Sequence, residues 1–213
     1  MSNQIYNSVG AIASAGTYPS SYNGQVEAYI FSQKFFQHNS HEFQQRFEEL
    51  LWITYCKHFK PLLIEIDSWL GKPVQSYQTD NTWGCTVRCL QMLLANSMLA
   101  SGPDLQLIPN GLGKADRENR AIDILRMFNN DKRAGVAPYS IQNVADVGLK
   151  DFGVYPGQWY GINTASLIFE SLEQRYRPVK NFRICTFQDG NISLPRIQQE
   201  GCCTEGPILG PSA

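Results

Sequence analysis

The sequence predicts an α+β fold, with helices first along the chain and a strand near its end. The clearest helical signal is the apolar segment Cys85–Ala100, which holds one charged residue, Arg88. The strand signal is Phe182–Phe187, which is followed by a turn-forming Asp189-Gly190 pair. The chain has 213 residues, of which 43% are hydrophobic and 12% aromatic, so it is long enough and apolar enough to bury a core.

Three regions differ in composition. Residues 1–24 are rich in Ser, Asn, Gly and Tyr, which predicts a flexible lead-in. Residues 201–213 contain two prolines and three glycines, which predicts an irregular tail. A folded domain is therefore expected over residues 25–200, and we find no internal repeat in it.

The first part of this domain shows two helical patterns and a polar stretch. Apolar residues recur at helical spacing after Ser40, which predicts a helix that Ser40 caps and Pro61 ends. A second helix is expected over Ile64–Leu70. The polar residues Gln75–Gly84 predict a turn before the apolar segment begins.

The second part contains the strongest helical signal. Cys85–Ala100 is apolar around most of its circumference, so it predicts a buried central helix. Further helices are expected near Asp116–Phe128, Ser140–Val147 and Thr164–Tyr176. Residues 153–161, between the last two, combine glycines with aromatic residues and predict a structured loop rather than a spacer.

Charge and composition argue against several classes of protein. The chain has 18 Lys and Arg residues and 19 acidic residues, so its net charge is −1. It therefore lacks the excess of positive charge that is typical of proteins that bind nucleic acid or an anionic membrane. No apolar run approaches the ~18–20 residues that span a bilayer. The N-terminus lacks the basic and apolar regions of a secretory signal, and six cysteines are too few for a disulfide scaffold. A reducing, cytoplasmic setting is expected.

Cys85 is the candidate nucleophile. It follows Trp83 and Gly84, where the polar stretch meets the buried helix. The dipole and the unpaired N–H groups of a helix N-terminus stabilise a thiolate and can form part of an oxyanion hole. Gly84 would let a substrate backbone come close because it has no Cβ. The alternative is that Cys85 is a small buried hydrophobic residue, as most free cysteines are.

The other cysteines support weaker alternatives. Cys89 lies one turn beyond Cys85 on the same face, and we expect it to pack in the core. No histidine or further cysteine stands at the spacing of a zinc or iron–sulfur site, so neither a metal nor a cofactor is predicted. A thiol redox switch through Cys85 and Cys89, or through Cys202 and Cys203, is a further hypothesis.

The segment Asp80–Met92 resembles the active-site signature of the autophagins, which are papain-like cysteine proteases of autophagy. Its Trp-Gly-Cys, Arg-Cys and Gln-Met elements stand at matching spacing. Three further segments agree in the same order, namely Trp52–Tyr55, Tyr139–Gln142 and Gly157–Thr164. Three residues depart from the family motifs: Thr82 replaces a usual glycine, Thr86 a usual apolar residue and Ile162 a usual proline.

The resemblance implies a papain-like fold of which this chain holds the helix-rich nucleophile half, without most of the sheet-bearing half. Cys85 would attack the carbonyl after a glycine near the C-terminus of the partner, an autophagic ubiquitin-like modifier, as a free precursor or a lipid conjugate. Tyr55 would donate its hydroxyl to the oxyanion, and Trp159 would gate the substrate chain. With the sheet absent, Val87–Leu99 would expose a large apolar patch.

The general base of such a protease has no counterpart in the sequence. A catalytic cysteine needs a histidine that Asp or Asn orients, and the resemblance implies an Asp-Pro-His element after the nucleophile. The chain has His38, His41 and His58, all before Cys85. His58, one turn past Tyr55 on the helix predicted there, is expected to pack rather than to react. The alternative function is therefore a catalytically incomplete chain that only binds the modifier.

Overall fold

The protein divides into two compact units, one with the described residues up to Trp52 and one with those from Ile53 onward. The computed structural model describes residues 28–30, 33–35, 41–65, 74–101, 106–107 and 117–199. The lead-in predicted over residues 1–24 and the tail predicted over 201–213 lie outside these ranges.

The first unit combines a strand pair with a short helix. Strands β1 (Ala28–Ile30) and β2 (Gln33–Phe35) pair antiparallel, and helix α1 spans His41–Glu48. A row of aromatic side chains follows β2 through α1, with ring centroids 5.5, 5.9 and 5.2 Å apart: Phe35, Phe43, Phe47 and Trp52. Offset and edge-to-face contacts of this kind stabilise the unit.

The helix predicted between Ser40 and Pro61 ends much earlier than expected. Residues 51–56 are irregular, and β3 (Lys57–Glu65) follows and contains Pro61. The helical spacing of apolar residues continues past α1, but β3 finds an antiparallel partner that local spacing does not reveal. The second unit therefore opens with a hairpin instead of a helix.

The partner of β3 is β4 (Val74–Thr79), with Ile64 opposite Gln75 and Lys57 opposite Thr79. The ladder is irregular between Lys57 and Leu62. The turn predicted over Gln75–Gly84 is thus wrong as far as Thr79, because those polar residues lie in a strand. The helix predicted to begin at Ile64 is wrong for its first two residues, and its remainder lies outside the described ranges.

The predicted helices after residue 84 are confirmed. None of them, nor any other helix in the described part of the chain, has the length and apolarity needed to cross a bilayer. The confirmed helices are α2 Cys85–Ala100, α3 Arg117–Arg126, α4 Ile141–Phe152 and α5 Ile162–Tyr176, and the structure adds an unpredicted helix, α6 Leu194–Gln199. Helix α2 contacts α3 and α5, and α4 packs on α5.

Helix α2 buries most of its apolar surface within this unit. Val87, Ala95 and Met98 are fully buried, whereas Leu93 keeps 60% of its surface exposed. The apolar patch exposed by Val87–Leu99 is therefore smaller than predicted, because α3 and α5 cover much of the helix.

The strand predicted over Phe182–Phe187 is absent, and those residues are irregular. The Thr186 N–H donates to a carboxylate oxygen of Glu170 at 3.0 Å, so it bonds to a helix side chain instead of a strand. Strand β6 (Val179–Lys180) lies just before them and pairs antiparallel with β5 (Gln106–Leu107). Helices with small antiparallel strand pairs fit the α+β class that the sequence predicts.

Candidate active site

A buried carboxylate fixes the start of α2. Asp80 has no exposed surface, and its Oδ2 accepts a hydrogen bond from Arg88 Nε at 2.5 Å. The Asp80 carbonyl accepts the N–H of Gly84 at 2.7 Å. A Cβ on Gly84 would lie 2.6 Å from Asp80 Oδ2 and 2.9 Å from the Asp80 carbonyl oxygen, so only glycine fits this approach. These contacts make Cys85 the first residue of the helix.

Cys85 is a free, exposed thiol at the N-terminus of α2. This contradicts the alternative interpretation of Cys85 as a buried hydrophobic residue. Its Sγ lies 3.9 Å from Thr86 Oγ1. Gly84, the N-cap, offers no side-chain hydrogen bond to the first turn, so no capping side chain occupies the backbone N–H groups there.

Cys89 is also free and exposed, so the expectation that it packs in the core is wrong. The buried side of α2 runs through Val87, Gln91 and Leu94, which turns the positions of Cys85 and Cys89 toward the surface. Of the other described cysteines, Cys56 is a free thiol and Cys185 is disulfide-bonded.

Tyr55 lies in the irregular segment before β3 and not on a helix, which corrects its predicted setting. Tyr55 is 45% exposed. Partial burial raises the pKa of the Tyr55 hydroxyl, and the negative charges of Cys85, Cys89 and Asp80 raise it further. Tyr55 therefore lies within electrostatic range of both thiols, and its phenol is protonated and able to donate a hydrogen bond at neutral pH.

Trp159 lies in the glycine-rich loop that the sequence predicted between α4 and α5. Its side chain is 79% exposed, and its indole Nε1 donates to Thr86 Oγ1 at 3.2 Å. Gly157 has a φ of +90°, and the Tyr77 ring occupies the place where a Cβ of residue 157 would stand. The loop thus brings the indole to the residue that follows Cys85.

An aromatic pair anchors this loop to the segment before the nucleophile. Trp83 and Tyr160 are both buried, with ring centroids 5.7 Å apart. Trp83 Nε1 donates to the Thr79 carbonyl at 2.9 Å. Because Trp83 stands two residues before Cys85 and Tyr160 directly follows Trp159, the pair fixes two predicted site residues near each other.

The described histidines give no support to a general base. His58 lies in β3, is exposed, and has a φ of +59°, so the expectation that it packs against the core is wrong. His41 is exposed in α1, and His38 lies outside the described ranges. Within those ranges no group of three or more His, Cys, Asp or Glu residues is arranged to hold a metal ion.

Sequence reasoning missed the polar chain that supports the site. Arg88 Nη1 donates to Gln91 Oε1 at 2.8 Å, and Gln91 Nε2 donates to the Tyr139 carbonyl at 2.7 Å. Together with the Asp80–Arg88 ion pair, these bonds connect the start of α2 to the residues that precede α4. The signal was the single charge in an apolar helix, because a buried arginine requires a partner.

The sequence profile of the peptidase C54 catalytic domain matches residues 40–205. The chain belongs to the peptidase C54 family. Its resemblance to the autophagins and its assignment to the α+β, papain-like class are thereby confirmed.

Named relatives agree with this membership. The chain is 31% identical to "Cysteine protease ATG4" of Pyricularia oryzae over 175 residues, which cover 74% of the chain and 32% of that protein. It is 31% identical to "Probable cysteine protease ATG4" of Podospora anserina, over 61% of the chain and 27% of that protein. "Cysteine protease 1" of Neurospora crassa is 27% identical over the same shares. The chain therefore matches between 27% and 32% of the length of these curated relatives.

Proposed function

We propose that this C54 chain carries the nucleophile of an autophagy cysteine protease that cleaves after a glycine near the C-terminus of a ubiquitin-like modifier. The observation that supports it is the setting of Cys85. The thiol is exposed at a helix N-terminus, Trp159 is hydrogen-bonded to the next residue, and the charge of Cys85 contributes, after burial, to the raised pKa of the Tyr55 hydroxyl. The relatives named as cysteine proteases support the same activity. A cytoplasmic location, where a reactive thiol stays reduced, belongs to this proposal.

The chemistry follows from these groups. The Cys85 thiolate attacks the carbonyl carbon after the glycine, and a carbon–sulfur bond forms as the carbonyl oxygen becomes an oxyanion. The Tyr55 hydroxyl and the N–H groups of the first turn of α2 donate hydrogen bonds to that oxyanion. The oxyanion then collapses to a carbonyl, the carbon–nitrogen bond breaks, and the leaving amine takes a proton from water. Water finally hydrolyses the thioester and frees the thiol.

The position of Trp159 supports a preference for glycine at the cleavage site. Its exposed indole is tied to Thr86, so it stands beside the path to the Cys85 thiol. A glycine has no side chain that would meet this ring, whereas a larger residue would have to displace it. We expect cleavage to fall sharply when that glycine of the modifier is replaced by phenylalanine.

Protonation of the leaving amine limits the expected rate of peptide-bond cleavage. No histidine follows Cys85 in the sequence, and loss of a positioned acid–base group lowers rates by about 10²–10⁴. We therefore expect slow turnover of peptide bonds by this chain. An electrophile that needs no protonated leaving group should react with Cys85 much more readily than a peptide bond.

The test uses the full chain and two substrates. The first is a modifier precursor with a peptide extension after its glycine, and the second is the modifier ending in an α,β-unsaturated ester, to which a thiolate adds irreversibly. We expect slow release of the extension and a covalent adduct on Cys85, both retained in Cys89→Ala and lost in Cys85→Ala. An adduct on Cys89, or binding of the modifier without either reaction, would overturn the proposal.

A further inference from the structure

Asp80 forms hydrogen bonds to the residue next to Tyr55 and to the residue next to Cys85. Its Oδ1 accepts the backbone N–H of Cys56 at 2.7 Å, and Cys56 directly follows Tyr55. Its carbonyl oxygen accepts the N–H of Gly84 at 2.7 Å, and Gly84 directly precedes Cys85. One residue is therefore bonded to the neighbour of each candidate catalytic group.

The Asp80 carboxylate is itself held in place. Its Oδ2 forms an ion pair with Arg88 Nε at 2.5 Å, and both side chains are buried. Short charge-assisted bonds of this kind are about twice as strong as neutral ones. The carboxylate cannot rotate without breaking its bond to Cys56 or leaving the Arg88 charge unpaired in the interior, which is costly.

We infer that Asp80 is a positioning residue that holds the Tyr55 hydroxyl at the N-terminus of α2 so that it reaches the oxyanion formed at Cys85. The inference rests on the proposed function, because it needs Tyr55 as the donor and Cys85 as the nucleophile. Asp80 touches neither the substrate nor the reacting atoms. Its loss should lower reactions that form an oxyanion and leave the thiol's direct nucleophilicity nearly unchanged.

Two small probes separate these effects on the full chain. With p-nitrophenyl acetate, the Cys85 sulfur bonds to the carbonyl carbon through a tetrahedral oxyanion, the carbon–oxygen bond breaks, p-nitrophenolate leaves unprotonated, and the thiol proton goes to the buffer. With iodoacetamide, the sulfur displaces iodide directly and no oxyanion forms. Mass spectrometry of the Cys85 peptide gives both rate constants, and their ratio measures oxyanion stabilisation.

Asp80→Asn is the decisive variant, because it keeps the size of the side chain but has one acceptor oxygen, so it must lose its bond either to the Cys56 N–H or to Arg88 Nε. We expect its acylation-to-alkylation ratio to fall at least about tenfold, since loss of one oxyanion donor costs about 10²–10³. Asp123→Asn is the matched control, because Asp123 pairs with Arg126 on α3, and its ratio should stay within about twofold of wild type. Tyr55→Phe should lower the ratio as much as Asp80→Asn does. The double variant Asp80→Asn/Tyr55→Phe should have nearly the same ratio as either single variant, because both substitutions remove the same interaction.

The possible outcomes distinguish a failure of the inference about Asp80 from a failure of the proposed function. A normal ratio in Asp80→Asn with a lowered ratio in Tyr55→Phe overturns the inference and leaves the proposed function intact. A normal ratio in Tyr55→Phe overturns the role of Tyr55 and the inference with it. If Asp80→Asn fails to fold by circular dichroism, Asp80→Asn/Arg88→Gln replaces it with a neutral buried pair, and a normal ratio there overturns the inference equally.

Discussion

At the scale of single residues, Glu173 gives the molecule a pH dependence. Its side chain on α5 is buried, and burial raises the pKa of this carboxyl more than the charges of Arg183 and Arg177 lower it. The folded state therefore binds the proton more tightly than the unfolded state does. The stabilising effect is fully present below the ordinary pKa of a glutamate and is lost as the pH rises through the raised value.

Glu173→Gln should therefore stabilise the protein at neutral pH, because glutamine stays uncharged. We expect a gain on the order of 1 kcal/mol in the free energy of unfolding at pH 7 and almost none at pH 4, where the glutamate is largely protonated. Urea unfolding followed by circular dichroism at both values gives the comparison. A loss of stability at pH 7 would mean that Arg177 and Arg183 outweigh burial.

Residues differ in how far the sequence could reveal them. Cys85 could be placed at a helix start because the polar-to-apolar transition is local, and the structure agrees. Asp80 could not be recognised, since its carboxylate partners are 24 and 8 positions away along the chain. The family resemblance identifies Tyr55, but the helix predicted around it does not form, because the hairpin that follows it depends on non-local pairing.

At the scale of elements, α4 begins with a side-chain cap inside the core. Ser140 is fully buried, and its Oγ accepts the N–H of Asn143 at 3.2 Å. The Asn143 side chain donates to the Ala137 carbonyl at 2.8 Å, and Gln91 of α2 bonds to the Tyr139 carbonyl. The start of α4 is therefore coupled to the helix that carries Cys85.

Removal of this cap tests the coupling. Ser140→Ala should cost about 1–2 kcal/mol of unfolding free energy, because it leaves the Asn143 N–H without its acceptor in a buried place. Ser166→Ala, within α5, is the control and should change stability by less than about 0.5 kcal/mol. Equal effects in the two variants, measured by denaturant titration, would show that the cap contributes nothing specific.

Helices and strands also differ in how predictable they were. The helices α2 to α5 follow from apolar periodicity within one segment, which is why their positions were found. Strands β3 and β4 depend on each other, and β4 is rich in polar residues that read as a turn when taken alone. A local sequence pattern does not show which distant segment a strand will pair with, so the β3–β4 hairpin could not be predicted from either segment alone.

At the scale of the whole molecule, one apolar stripe of α2 is open to solvent. Cys85, Cys89 and Leu93 stand four residues apart along the helix, and Leu93 is 60% exposed. The rest of the helix packs against α3 and α5, so the apolar composition of the segment predicted a patch but overestimated its extent. With a net charge of −1, the chain has little electrostatic repulsion to oppose self-association through this stripe.

Leu93→Gln should weaken self-association of the protein for this reason. Burying a leucine contributes about 1.5–3 kcal/mol, so the dissociation constant of a dimer that buries Leu93 should rise at least tenfold. Leu63→Gln is the matched control, because Leu63 is 66% exposed on β3 and lies outside the stripe. Sedimentation velocity over a range of concentrations measures both variants. A wild-type chain that stays monomeric at the highest concentration, or equal weakening by Leu63→Gln, would contradict this role of the α2 stripe.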